Sequence, residues 1–189
     1  MKPKRLILAV TGASGTIYAL ALARALRGMD GIETHLVVSD AAKEVMRRER
    51  PDISLSELTD GMAAVHDDRD IGAPPASGSW RCAGMVVCPC SMATLAGVAG
   101  GLANSLILRA ADVTLKERRR LVLVTRETPL HRIHLTNMLA ATDAGAMIFP
   151  ASPGFYHGPK TIDDLAAQLA GRILDQFDIE HQLFARWGG

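Results

Sequence analysis

Hydroxyl, cationic and acidic side chains stand just past the apolar runs of this chain: Ser14, Ser39, Ser91, Thr94, Arg126, Glu127 and, from a late loop, Tyr156. Arg109, Lys116 and Arg172 can join them from helices. Many hydroxyls and cations with one or two carboxylates suit an anionic ligand. A charge-assisted hydrogen bond is worth roughly 1.5–3 kcal/mol net, so three give about 5–9 kcal/mol. Association costs roughly 4–15 kcal/mol. Several cations must therefore converge on one phosphate, because a helix dipole alone falls short.

Other chemistries find less support. No Ser-His-Asp order and no Cys-His pair stands out, and His131, His134 and His157 read as loop or cap residues near the same edge. Cys82, Cys88 and Cys90 are an odd number in a chain expected to be cytosolic, which argues against a disulfide framework. Cys88-Pro89-Cys90 offers two ligands, but no second pair with zinc spacing follows, so no metal is expected. Asp67-Asp68-Arg69-Asp70 invites a magnesium-diphosphate reading, yet it lies in a loop and is expected to be a solvated turn.

The elements that must position these groups alternate along the chain. Arg5–Val10 is a short apolar run that reads as a buried strand, and Thr16–Leu26 carries apolar residues at helical spacing. Between them lies Thr11-Gly12-Ala13-Ser14-Gly15, a strand-to-helix turn whose helix start offers N–H groups to a phosphate. Its spacing is G-x-x-G and not the dinucleotide fingerprint, so a tight turn without a ligand stays open. Further strands are expected at 34–38, 84–88, 121–124 and 146–149. Helices are expected at 41–48, in a short stretch opened by Ser54-Leu55-Ser56-Glu57, at 95–99, 103–116 and 131–144, and after Thr161. Pro89 to Thr94 repeats the opening turn with hydroxyls at the helix start. Ser39 reads equally as ligand donor or N-cap, and Glu49, among arginines 47, 48 and 50, reads as a solvated surface charge. Trp80 either pins a loop to the core or walls a pocket.

This alternation predicts an α/β fold, a Rossmann-like (flavodoxin-like) three-layer sandwich with a mainly parallel sheet, in one domain over residues 1–189. The tail 177–189 is expected at a subunit interface. A formal net charge of +1 gives no case for nucleic acid or an anionic membrane. No apolar run is long enough to span a bilayer, and Met1–Arg5 leads straight into the first strand, so a cytoplasmic protein is expected.

Taken together, Thr11–Gly15, Pro89–Leu95, Arg109–Val113, Leu115–Arg119, Arg126–Leu130 and Phe155-Tyr156-His157 resemble the UbiX-type flavin prenyltransferases, in the same order from residue 5 to Trp187. The opening motif is common among flavoproteins, whereas the Lys-Glu-Arg-Arg, Arg-Glu-Thr-Pro and Phe-Tyr-His set is specific. The resemblance implies a metal-independent transferase. It would join the dimethylallyl group of dimethylallyl monophosphate to N5 and C6 of reduced FMN, making prenylated FMN for a partner decarboxylase of the ubiquinone-pathway or aromatic-acid type. It also implies a dodecamer with sites at subunit boundaries.

Carried over by position, Gly12, Ala13, Ser14, Ser39, Ser91, Met92, Ala93, Thr94, Arg109 and Arg126 would hold FMN. Lys116, Tyr156 and Arg172 would hold the prenyl phosphate. Glu127 would be the acid/base beside the leaving phosphate, Glu49 would handle a proton near the flavin, and Trp80 and Trp187 would flank the allyl group. Ala93, Gly154 and Gly158 depart from the family's usual residues. Two alternatives are an FMN-dependent cysteine decarboxylase-like enzyme and a non-catalytic flavin-carrying decarboxylase subunit. The first would want a histidine after the first turn and an Asn-rich turn at 90–94, which this chain lacks. The second need not keep Lys116, Glu127, Tyr156 and Arg172, all of which are present.

Overall fold

Apolar runs bounded by glycines and polar turns form five of the strands, and each of these is followed along the chain by a segment of helical period. The computed structural model describes residues 3–188; Met1, Lys2 and Gly189 lie outside the described residues. The strands are β1 (Lys4–Val10), β2 (Ile32–Val38), β3 (Ala64–Asp67), β4 (Gly84–Cys90), β5 (Arg120–Thr125) and β6 (Ala146–Ile148). The helices are α1 (Thr16–Leu26), α2 (Asp40–Glu49), α3 (Ser56–Thr59), α4 (Met92–Ala99), α5 (Leu106–Lys116), α6 (Arg132–Asp143) and α7 (Ile162–Asp175). All strand pairs are parallel, in the order β3-β2-β1-β4-β5-β6. That order is doubly wound, and it reverses between β1 and β4. Ligands of such sheets bind at the carboxyl ends of the strands flanking that reversal.

Side-chain alternation divides the core between the two faces. Leu6, Leu8, Val10, Leu36, Val86 and Val122 meet α1 and α7 on one side. Ile7, Ala9, Val37, Met85, Val87 and Leu123 meet α4 and α5 on the other. Alanines at 110 and 111 let α5 approach closely, and both are fully buried. Cys88 and Cys90 are buried and free, and burial pushes both thiols up, Cys90 to about 12. They are core side chains and not nucleophiles.

Three expectations need correction. Residues 64–67 form an edge strand, so Asp67 ends a strand instead of lying in a loop. The helix expected from residue 103 begins at Leu106, capped by Ser105. The helix expected from 95 begins at Met92, directly after its Ser91 cap. Asp68 also has a structural duty, since its carboxylate accepts from Ile107 N at 2.9 Å and its carbonyl from Leu106 N at 2.7 Å. From there the chain runs back along α5. Arg109 Nε donates to Ala76 O at 3.2 Å, and Gly78 lies beneath the Lys116 and Glu117 side chains. Residues 68–78 thus strap α5 from one edge of the sheet to the other. Among the described residues no helix is long and apolar enough to cross a membrane.

Candidate active site

The carboxyl ends of β1 and β4 are tied together by one buried threonine. Thr11 Oγ1 donates to Pro89 O at 2.8 Å and accepts from Ser91 N at 2.9 Å. Ser39 N bonds to Val10 O at 3.0 Å and brings in β2, while Arg126 N reaches Cys90 O at 3.4 Å and brings in β5. Four strand exits therefore form one rim. Sequence reasoning placed Thr11 in the motif without a role; its signal is a hydroxyl at the last inward position of a strand.

The first turn depends on two glycines. A Cβ on Gly12 would lie 2.6 Å from the Ala41 Cβ, so only glycine lets this loop touch the start of α2. Gly15 sits at φ 113°, where a side chain is strained and would also strike the Tyr18 ring. The close approach of α2 carries Glu49 to the start of α1. Its carboxylate accepts from Gly15 N at 3.0 and 3.1 Å and from Thr16 N at 2.8 Å. The expectation that the α1 start offers free N–H groups is thereby corrected: a carboxylate from 34 residues away already caps it. Glu49 is not merely a solvated charge. Burial pushes its carboxyl up, but hydrogen bonds from the Ser14 hydroxyl and the Thr16 and Gly15 amides outweigh this and hold it below the ordinary glutamate range.

The second turn is open. Ser91 Oγ accepts from Thr94 N at 3.2 Å and pairs with Thr94 Oγ1 at 3.0 Å. Leu95 N is used by Ser91 O, while Met92 N and Ala93 N have no protein acceptor among the described residues. Two amides, two hydroxyls and the positive end of α4 together make an anion cradle. Ser39 Oγ accepts from Ala42 N at 3.1 Å, so it is an N-cap whose O–H remains available to donate. Arg126 Nε donates to Ser14 O at 3.0 Å, leaving its other nitrogens at the rim, and Glu127 beside it accepts, among the described residues, only from Thr128 N at 3.0 Å.

The structure gathers Gly12, Ala13, Ser14, Ser39, Glu49, Ser91–Thr94, Arg126 and Glu127 on this rim, and keeps other expected residues apart. Lys116 ends α5 at the opposite edge, bound to Glu117 at 2.6 Å. The length of β5, about 20 Å at 3.3 Å per residue, separates it from Glu127. Arg109 is held by Ala76 O and by Asp112 at 2.7 Å. Trp80 also lies at that far edge, its ring 4.6 Å from His35 and under Arg5 at 5.3 Å. Trp187 meets Tyr156 at 5.7 Å beyond the end of β6, so the two tryptophans do not flank one group within a chain. Arg172 pairs with Asp175 at 3.4 Å on α7. The tail folds back on α7, with Asp175 gripping His181 at 3.1 Å and Arg186 at 2.7 Å, and it leaves Trp187 82 % exposed.

The comparisons with known proteins agree with this geometry. The Flavoprotein family model matches residues 1–174. The flavin prenyltransferase UbiX of Deinococcus radiodurans is 55% identical over 185 residues, covering 98% of this chain and 94% of that one. A crystal structure of a UbiX protein in complex with FMN and dimethylallyl pyrophosphate superposes with a TM-score of 0.91 at 48% identity, covering 99% of this chain and 98% of that one. A dodecameric FMN-dependent UbiX-like decarboxylase from Escherichia coli O157:H7 superposes at 0.93 with 47% identity, covering 98% and 100%.

Proposed function

We propose, from the premise that the chain belongs to the UbiX flavin prenyltransferases, a division of labour between the rim and residues brought by other copies of the chain. The protein is a flavin prenyltransferase that takes FMN and a dimethylallyl phosphate. The cradle suits FMN: two free amides, two hydroxyls and an arginine favour a phosphate, and a turn that a Cβ would fill lets a flat ring approach backbone. Bound reduced FMN supplies the nucleophilic N5 and C6 positions.

Ser39, Ser91, Met92, Ala93, Thr94 and Arg126 hold the flavin phosphate side, and Gly12, Ala13 and Ser14 border the ring. Glu49, an anion at neutral pH, receives a proton at its Oε atoms as the ring closes. Glu127 gives its proton to the leaving phosphate as the allylic C–O bond breaks. Lys116, Tyr156 and Arg172 hold that phosphate. The cations do the work that a metal does for diphosphates, so a monophosphate suffices.

The observation that carries this reading is the separation of Lys116 from Glu127 by the whole sheet. A chain cannot complete its own site, so Lys116 and the exposed Tyr156–Trp187 pair, with Arg172 behind them, serve neighbouring copies. The dodecameric relative makes such an assembly available. The tail 177–189 then lies at a subunit boundary, and Trp187 covers the allyl group against water. Trp80, at the same edge as Lys116, is assigned likewise to the allyl group of a neighbouring site, and Arg109, which also anchors the α5 strap through Ala76 O, to its flavin. A cytoplasmic location and a product-accepting decarboxylase of ubiquinone or aromatic-acid metabolism complete the proposal. Anaerobic incubation with reduced FMN and dimethylallyl monophosphate should yield a flavin heavier by one C5 unit. An unchanged flavin mass on intact, FMN-loaded protein overturns the assignment of donor and acceptor.

A further inference from the structure

The amino-terminal edge of the sheet holds a cleft of about 850 Å³ whose lining includes none of the residues assigned above to flavin or donor phosphate. Lys4, Arg5, Arg81, Arg118, Arg119 and Arg120 line it, against one lining carboxylate, Asp178. These cations stand at or just before the starts of β1, β4 and β5, which are adjacent in the sheet. At about 4.8 Å per strand, the row extends over about 10 Å.

The cations are not equivalent. Arg119 is fixed by Gly78 O at 2.6 Å and Trp80 O at 3.0 Å. Arg120 pairs with Asp178 at 3.5 Å, and Arg5 with Glu33 at 3.0 Å. Lys4, Arg81 and Arg118 have no ion pair among the described residues. Arg118 is also a conformational exception. It sits at φ 53°, one residue past the Glu117 cap of α5, where helices usually place glycine. Its N–H bonds to Leu115 O and that of Arg119 to Thr114 O, which closes the helix. A charged side chain is thus kept where a glycine would be easier. The negative end of α5 accounts for about half a charge, far less than the row supplies.

We propose that this cleft binds a linear polyphosphate anion, its phosphates along the arginine row and any apolar remainder against Leu121, Met147 and Phe177. A single phosphate reaches the cations of one strand, whereas three in line reach those of two or three. Two sources share this chemistry: inorganic tripolyphosphate and a nucleoside triphosphate.

The test is calorimetric titration of the FMN-loaded protein with tripolyphosphate, and separately with ATP. One binding event per chain is expected, unchanged in Arg172→Ala, which removes a cation from the donor phosphate site. It should weaken at least tenfold in Arg81→Ala and in Arg118→Gly. Arg118→Gly also relieves the left-handed backbone, so its melting temperature should rise, which separates lost binding from lost folding. Tighter binding of ATP than of tripolyphosphate identifies a nucleotide, and equal binding identifies the inorganic anion. No binding event, one insensitive to both arginine variants, or one reproduced by sulfate at equal ionic strength overturns the proposal.

Discussion

The turns after β1 and β4 resemble one another in sequence, each a buried strand passing through small and hydroxyl residues into a helix. In the structure a side chain caps the first, and no described residue caps the leading amides of the second. Glu49 occupies the N–H groups at the start of α1, whereas the first amides of α4 keep no protein partner among the described residues. Of two similar helix ends, one is used to place a carboxylate and the other keeps its first amides free of protein partners among the described residues. A glycine-rich turn is therefore not a binding site until its helix end is known to be free.

Substitutions test this contrast. The largest effect belongs to neither turn. Glu127→Gln should lower turnover by about 10²–10⁴-fold, the usual worth of a positioned proton donor, while FMN binding persists. Steady-state rates with a flavin-binding titration check this, and undiminished turnover removes Glu127 from proton transfer. Next, Ser91→Ala with Thr94→Ala should weaken FMN binding by about tenfold or more, each lost hydrogen bond to a charged group being worth about 1.5–3 kcal/mol. Equal loss of FMN from Glu49→Gln, with no loss of stability, would erase the distinction between the turns.

The smallest effect is on stability. Glu49→Gln should cost about 1 kcal/mol by weakening the cap of α1. The pH dependence has a defined sign. The native carboxyl lies below its ordinary value of 4.5, so the unfolded chain binds more protons in the intervening window and stability rises with pH there. The gap between wild type and variant should be full above about pH 4.5 and close as pH falls through the depressed native value. Denaturant unfolding at several pH values measures it; a gap that persists at the acid end contradicts the capping role.

How much of this was legible in the sequence depends on how local each feature is. Five strands were recognisable because Leu6–Val10, Leu36–Val38, Met85–Cys88, Leu121–Val124 and Ala146–Phe149 are apolar runs, the first four buried on both faces and the last a partly buried edge. β3 was not, because Ala64-Val65-His66-Asp67 is a half-exposed edge, and its pairing to β2 makes it a strand. The hydroxyls and cations of the rim were legible as strand-end residues. The Glu49 cap was hidden, since it depends on Gly12 admitting Ala41 and so on the packing of α2 against the first turn. The position of Lys116 was also misjudged within a chain. Seven residues on one helix put it on the face of Arg109 but at the other end of the sheet.

The strap along α5 has a mechanical consequence. Pinned by Asp68 at its start and overlying Gly78 at its end, α5 is a strut of about 16 Å at 1.5 Å per residue. Its two ends cannot shift independently, so the height at which Lys116 stands above the far edge is gauged from the near one. A residue inserted between Asp70 and Ala76 would slacken the gauge without touching the flavin cradle. Under the proposed sharing of Lys116 between copies of the chain, its cost would fall on the fit between them.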